Sequence, residues 1–94
     1  MSLYLKKSDE TTVSVTTSST LVLAQNLRRK YALISNPTGG GIIFLAFGKA
    51  AIASRGVLIP PGGAYEIDVD NLWGGEVYAI ASAGTIDVAI VDQY

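Results

Sequence analysis

The sequence contains no cysteine and no histidine. Without cysteine there can be no disulfide, no thiolate metal site and no cysteine nucleophile. Without histidine, the usual proton shuttle near neutral pH and the commonest zinc ligand are missing. Charge is scarce too: 16% of the 94 residues, against roughly 25% in soluble domains. The formal charge of −1 and the pI of about 5.1 leave no electrostatic footprint for nucleic acid. No long apolar helix is present either. The longest nearly uncharged stretch, residues 31–48, is interrupted by Asn36, Pro37 and three glycines, which rules it out as a membrane helix. At the N-terminus Lys6 and Lys7 lead into Ser8, Asp9 and Glu10 and not into an apolar run. No secretory signal is expected there, and synthesis is expected in the cytoplasm.

What the chain does have is apolar residues, 49% of the total. A domain of this length buries only about 60–65% of its unfolded surface. With few charges to cover the remainder, part of its apolar area is expected to meet a partner, the simplest being another copy.

The apolar pattern has the period of strands. Residues 11–17 are rich in threonine and valine, with Val13 and Val15 alternating; residues 20–24 follow as a second apolar run. Residues 31–35 end at Asn36 and Pro37, and proline cannot donate to a ladder. Residues 42–47 are apolar at every position, as expected of a strand buried on both faces, with a loop or second subunit covering the outer one. Residues 57–59 stop at Pro60, Pro61, Gly62 and Gly63, a strong turn signal. In residues 65–70, Tyr65, Ile67 and Val69 alternate with Glu66, Asp68 and Asp70. Residues 76–81 and 85–91 complete the set, with Ile86, Val88 and Ile90 inward and Asp87 outward. Residues 49–54 are the one stretch with helical composition and are too short to hold a helix alone. About eight short strands, with turns roughly every ten residues, predict an all-β chain, an antiparallel β-sandwich of jelly-roll type. Residues 1–10 are expected to form an N-terminal arm, with Leu3, Tyr4 and Leu5 as its apolar anchors, and residues 11–94 a single sandwich domain.

Few residues suggest chemistry. Glu66, Asp68 and Asp70 would put three carboxylates about 6–7 Å apart along one strand face, a potential hard-oxygen site for calcium. Counted from Asp68, however, the calcium-loop glycine position is Trp73 and the glutamate position is Ala79. A solvated face that discourages edge pairing is the favoured reading. Thr38, Gly39, Gly40 and Gly41 lack the lysine-serine ending of a phosphate loop and lead into a strand. Serine and threonine are plentiful, but a hydroxyl nucleophile needs a base, and no Ser-x-x-Lys spacing occurs. A glycosidase-like carboxylate pair would lack a concave site in so small a sandwich. No enzymatic activity, metal or cofactor is expected.

Arg28, Arg29 and Lys30 form the one basic cluster. With no interleaved aromatics, contact with protein, inside the fold or across an interface, is expected ahead of nucleic acid. Trp73 sits in a turn beside Gly74 and Gly75, either capping the core or exposed as an anchor for sugar or protein. Leu3, Tyr4, Leu5, Arg28, Arg29 and Trp73 are thus the candidate interface residues.

The strand–turn phrases Leu27-Arg28-Arg29-Lys30-Tyr31-Ala32-Leu33-Ile34-Ser35-Asn36-Pro37, Ile43-Phe44-Leu45-Ala46-Phe47-Gly48, Gly56-Val57-Leu58-Ile59-Pro60-Pro61-Gly62 and Gly75-Glu76-Val77-Tyr78-Ala79-Ile80-Ala81 resemble small virion proteins of tailed bacteriophages. These are β-sandwich or jelly-roll domains that decorate capsids or form fibres and spikes. The resemblance spans about residues 11–92 and leaves residues 1–10 unmatched. It implies a capsid decoration or accessory subunit, a homo-oligomer (most often a trimer), contact with the major capsid or another virion protein, and no cofactor. The expected location is the virion, with the host cytoplasm during assembly; neither nucleic acid nor membrane is an expected partner. The alternatives are a carbohydrate- or receptor-binding module of a tail fibre or spike, motivated by Trp73 and the acidic residues, and an assembly subunit unrelated to viruses.

Overall fold

The β-branched and alternating segments fold into eight strands. They are β1 (Ser8–Val15), β2 (Thr20–Leu23), β3 (Tyr31–Ser35), β4 (Ile43–Phe47), β5 (Val57–Ile59), β6 (Ala64–Ile67), β7 (Val77–Ala81) and β8 (Ile86–Gln93). The structure, a computed structural model, describes residues 4–94. All strand pairs are antiparallel and form two four-stranded sheets, ordered β1-β8-β3-β6 and β2-β7-β4-β5. The pairs β1·β8, β2·β7, β3·β6 and β4·β5 are nested around the β4–β5 connection, as if one long hairpin had been rolled up. This is the jelly-roll arrangement, which seats sequence-distant strands side by side without parallel crossovers.

The core lies between the sheets. Val15, Ala32, Ile34, Ile67, Ile86, Val88 and Ile90 face inward from the first sheet. Val22, Leu23, Ile43, Leu45, Ile59, Val77, Ala79 and Ala81 face them from the second. Each of the larger side chains stabilises the fold by roughly 1.5–3 kcal/mol relative to exposure. The expected alternation of β8 is observed: Ile86, Val88 and Ile90 are buried and Asp87 is exposed.

Two boundaries differ from the sequence expectation. Strand β1 begins at Ser8, so residues 8–10, assigned by sequence to the arm, are rungs of the sheet opposite Gln93, Asp92 and Val91. The cause is tertiary: β8 runs on to Gln93 and offers its backbone to a segment with no apolar pattern of its own. Lys6 and Lys7 extend this contact by donating their N–H groups to the Tyr94 carbonyl. Strand β6 ends at Ile67, not at residue 70. Asn71 Oδ1 accepts the Asp68 N–H at 2.7 Å, and Asp68 Oδ1 accepts the Asp70 N–H at 2.9 Å. These side chains compete with the ladder for backbone donors, as Asx residues do, and turn the chain. Val69, expected to face inward, is 75% exposed as a result.

Strand β4 is apolar on both faces because the second sheet carries a cover. Residues 49–56, linking β4 to β5, pass over its outer face, where Ala51 packs with Phe44 and Ile80. The Ala51 N–H donates to Ser19 Oγ at 2.8 Å, anchoring this strap beside the start of β2. The expected second layer over β4 is thus a loop of the same chain.

The strap returns to β5 through Gly56 at φ +82°, where an added Cβ would lie 2.0 Å from the Leu45 carbonyl oxygen. Gly39 has a similar φ of +88° with open space around it. Gly39→Ala therefore costs only the left-handed strain, about 1–2 kcal/mol, whereas Gly56→Ala adds a backbone clash and costs substantially more. Urea midpoints of the two variants check this; equal losses would show that the strap can lift away from Leu45.

Candidate functional site

The six residues singled out by sequence separate into different environments. Leu3 lies outside the described residues. Tyr4 and Leu5 are exposed, Tyr4 at 83%, and Lys30 Nζ donates to the Tyr4 carbonyl. Arg28 is exposed, its guanidinium 5.5 Å from the Tyr94 ring centroid.

Arg29 is buried inside its own chain. It is 2% exposed, in the link between β2 and β3. Its Nε donates to Asp92 Oδ1 at 2.8 Å, and Nη2 donates to Asp92 Oδ2 at 3.3 Å and to the Ala24 carbonyl at 2.8 Å. Nη1 donates to the carbonyls of Trp73 at 2.9 Å and Gly75 at 3.1 Å. All five guanidinium N–H donors are therefore used. Asp92 belongs to β8 in the first sheet, while Ala24 follows β2 and Gly75 precedes β7, both in the second. The group is a clamp across the sandwich end.

Trp73 caps that same end. Its ring meets Phe47 edge-on at 5.9 Å between centroids and lies against Gly48 and Gly75. Its Nε1–H donates to the Glu76 carbonyl at 3.0 Å. Its indole donor is used and the residue remains 37% exposed.

The three acids do not form a stripe. Glu66 accepts the Tyr31 hydroxyl at 2.8 Å, Asp68 shapes the turn, and Asp70 lies past the end of the strand. Among the described residues no group of three or more carboxylates is placed to hold a metal ion.

The surface features that sequence reasoning missed are apolar. Nine large hydrophobic side chains are exposed among the described residues. Leu21, Ile52 and Leu58 lie on or beside the outer face of the second sheet: Leu21 pairs with Tyr78 of β7 and Leu58 with Phe44 of β4, both outward-facing. Tyr4, Leu5, Leu27, Val69, Leu72 and Trp73 lie at the Arg29 end. Leu5 and Val69 flank one shallow dent, and Leu27 touches Gly74. Leu27, Val69 and Leu72 are in connections, where no strand period marks them. The strap also walls a pocket of about 420 Å³, with Ala46, Phe47, Ile52 and Val57 as apolar lining and Lys49 and Arg55 beside it. Comparison with protein-family models, curated proteins and solved structures finds no match to this chain.

Removing one partner of a buried, hydrogen-bonded ion pair leaves the other without compensation, at a cost of about 3–5 kcal/mol. Arg29→Ala is expected to lose about that much in chemical denaturation and to increase solvent exposure of Trp73. A loss no larger than that of Arg28→Ala would overturn the clamp.

Tyr31, Tyr78 and Tyr94 each hydrogen-bond a carboxylate, of Glu66, Glu76 and Asp9 respectively, and this raises each phenol above its ordinary value near 10. The folded state thus holds these protons more tightly. The associated stability is fully present below pH 10 and is lost as pH rises through the folded-state values. Ultraviolet titration should show phenolate forming later in the native protein than in the urea-unfolded chain, and the reverse order would refute the assignment.

Proposed function

We propose that this chain is a structural subunit that acts by docking on other protein chains, as an accessory or decoration protein of a virion. The observation that carries the reading is the outer face of the β2-β7-β4-β5 sheet. An antiparallel sheet facing water alternates apolar-in with polar-out. Here the outward positions are Leu21, Tyr78, Ile80, Ala46, Phe44 and Leu58. The strap covers the centre, and Leu21 and Leu58 remain exposed at opposite edges of the sheet, with Ile52 on the strap itself. Exposed apolar area of this kind marks protein interaction surfaces. The low charge, the jelly-roll architecture and the strand–turn resemblance to phage virion proteins support the same reading. The carbohydrate alternative rested on Trp73 and the acidic residues; the Trp73 ring is partly packed against Phe47, Gly48 and Gly75, and Glu66, Asp68 and Asp70 do not share one strand face.

The test is co-sedimentation with empty heads of the phage whose genome carries the gene. The double variant Leu21→Asp with Leu58→Asp is expected to bind at least about tenfold more weakly, since burying one charge at an apolar contact exceeds 1.4 kcal/mol. Its melting temperature should change little, because both side chains are exposed. Unchanged binding by the double variant, or no binding by the wild type, would reject the reading.

A further inference from the structure

The turn after β6 and the pocket under the strap are complementary. Val69 stands at the tip of residues 68–71, and this turn is rigid. Asn71 Nδ2 donates to the Glu66 carbonyl at 2.9 Å, and the Asn71 N–H reaches the Asp68 carbonyl at 3.3 Å. Together with the two Asx bonds described above, these hold the tip in place. A β-branched side chain presented at 75% exposure on a locked turn is a preorganised anchor, with little ordering entropy left to lose on binding. It is flanked by the carboxylates of Asp68 and Asp70, with Leu5 to one side.

The pocket has the opposite character. Its lining is apolar, and its volume of about 420 Å³ exceeds what a valine side chain and its turn tip require. Its two charged residues, Lys49 and Arg55, are both cations, and neither side chain makes an ion pair or hydrogen bond among the described residues. They are also the sole cations of the sequence after residue 30. An apolar pocket with two unpaired cations fits an apolar side chain set between two carboxylates.

We propose that Val69 of one copy seats in the strap pocket of a second copy, with Asp68 and Asp70 meeting Lys49 and Arg55 across the contact. The inference rests on the assembly reading and deepens it by naming the self-contact; its pocket shares Ala46 and Ile52 with the apolar outer face, while Leu21 and Leu58 lie outside it. Knob and pocket are different surfaces of one chain, so the contact is head-to-tail and an open assembly keeps one free knob and one free pocket, at its two ends, until a ring closes.

Sedimentation velocity tests this. Wild type is expected to self-associate at tens of micromolar, and association should weaken with added salt, because the flanking charges are exposed. Val69→Ser should weaken association roughly ten- to a hundredfold. Lys49→Glu with Arg55→Glu should do so at least as strongly, while Leu58→Ser, outside the pocket, should leave it unchanged. The first two variants break opposite halves of the contact. Mixed, they retain one intact knob and one intact pocket, so they should form a dimer of one of each and nothing larger. Because the chain has no cysteine, Val69→Cys with Ala50→Cys gives an independent readout: oxidation should produce a ladder of intermolecular disulfides. A monomeric wild type, a Val69→Ser variant that associates normally, a mixture that stays monomeric, or no ladder would overturn the proposal. The head-binding assay separates this from the wider reading: a monomer that still binds heads sinks the self-contact alone.

Discussion

The Arg29 guanidinium is the group on which one whole end of the sandwich depends. Jelly-roll pairing brings together segments far apart in sequence, and their ends leave carbonyls with no ladder partner. At this end the carbonyls of Ala24, Trp73 and Gly75 turn inward, and a single buried cation satisfies all three while its fork holds Asp92. Burying a charge is costly unless it is paired and fully hydrogen-bonded, and Arg29 meets both conditions. Asp92 also stands opposite Asp9 in the β1–β8 ladder, where two carboxylates would repel. Arg29 neutralises one, and Asp9 accepts the Tyr94 hydroxyl at 2.7 Å. The clamp therefore permits β1 and β8 to pair through their polar ends, and it fixes the connections that carry Leu27, Leu72 and Trp73. The other end has a smaller counterpart in buried Asn36, whose Nδ2 donates to the carbonyls of Gly41 and Ile59 and joins the β3–β4 loop to the end of β5.

The sequence shows these two ends unequally. Asn36 was legible as a strand stop because Pro37 and the glycines follow it. Arg29 was not, because Arg28, Arg29 and Lys30 stand together as one basic cluster, and nothing in three consecutive cations says which one points inward. That choice is made by the carbonyls of residues 24, 73 and 75, which meet only in the folded chain. The same division runs through the strands. Alternation placed the inward and outward residues of β8 correctly, since one buried face writes a period of two into the sequence. It placed Val69 wrongly, since the pattern of residues 65–70 continues past the point where Asp68 and Asn71 take the backbone donors and end the strand.

The strap accounts for a feature that a two-layer sandwich does not explain. Phe44 and Ile80 lie on the outer face yet are at most 9% exposed, because residues 49–56 supply a partial third layer. This layer is short and bound to the sheet mainly through Ala51, so it covers the centre of the face and leaves its edges. It also creates the pocket: a chain leaving β4 at Phe47 and arching outward must leave a hollow between its arch and the strand ends.

Symmetry follows from where the apolar groups lie. A chain with one self-complementary patch would form a two-fold dimer, with the same residues on both sides of the contact. In the proposed self-contact the two halves differ, Val69 on a turn flanked by acids and a pocket flanked by Lys49 and Arg55, so the contact is not two-fold. Head-to-tail contacts close into rings when the rotation between neighbours divides a full turn and extend into filaments when it does not. The trimer implied by the phage resemblance is one such closure. A ring of this kind also aligns every copy in the same direction about its axis. The apolar outer sheet faces would then be repeated with cyclic symmetry, which is the arrangement needed to meet a symmetric set of sites on a shell. The scarcity of charge bears on the proposed contact: with only Lys49 and Arg55 as cations beyond residue 30, the acidic turn has few competing partners on its own chain's second half.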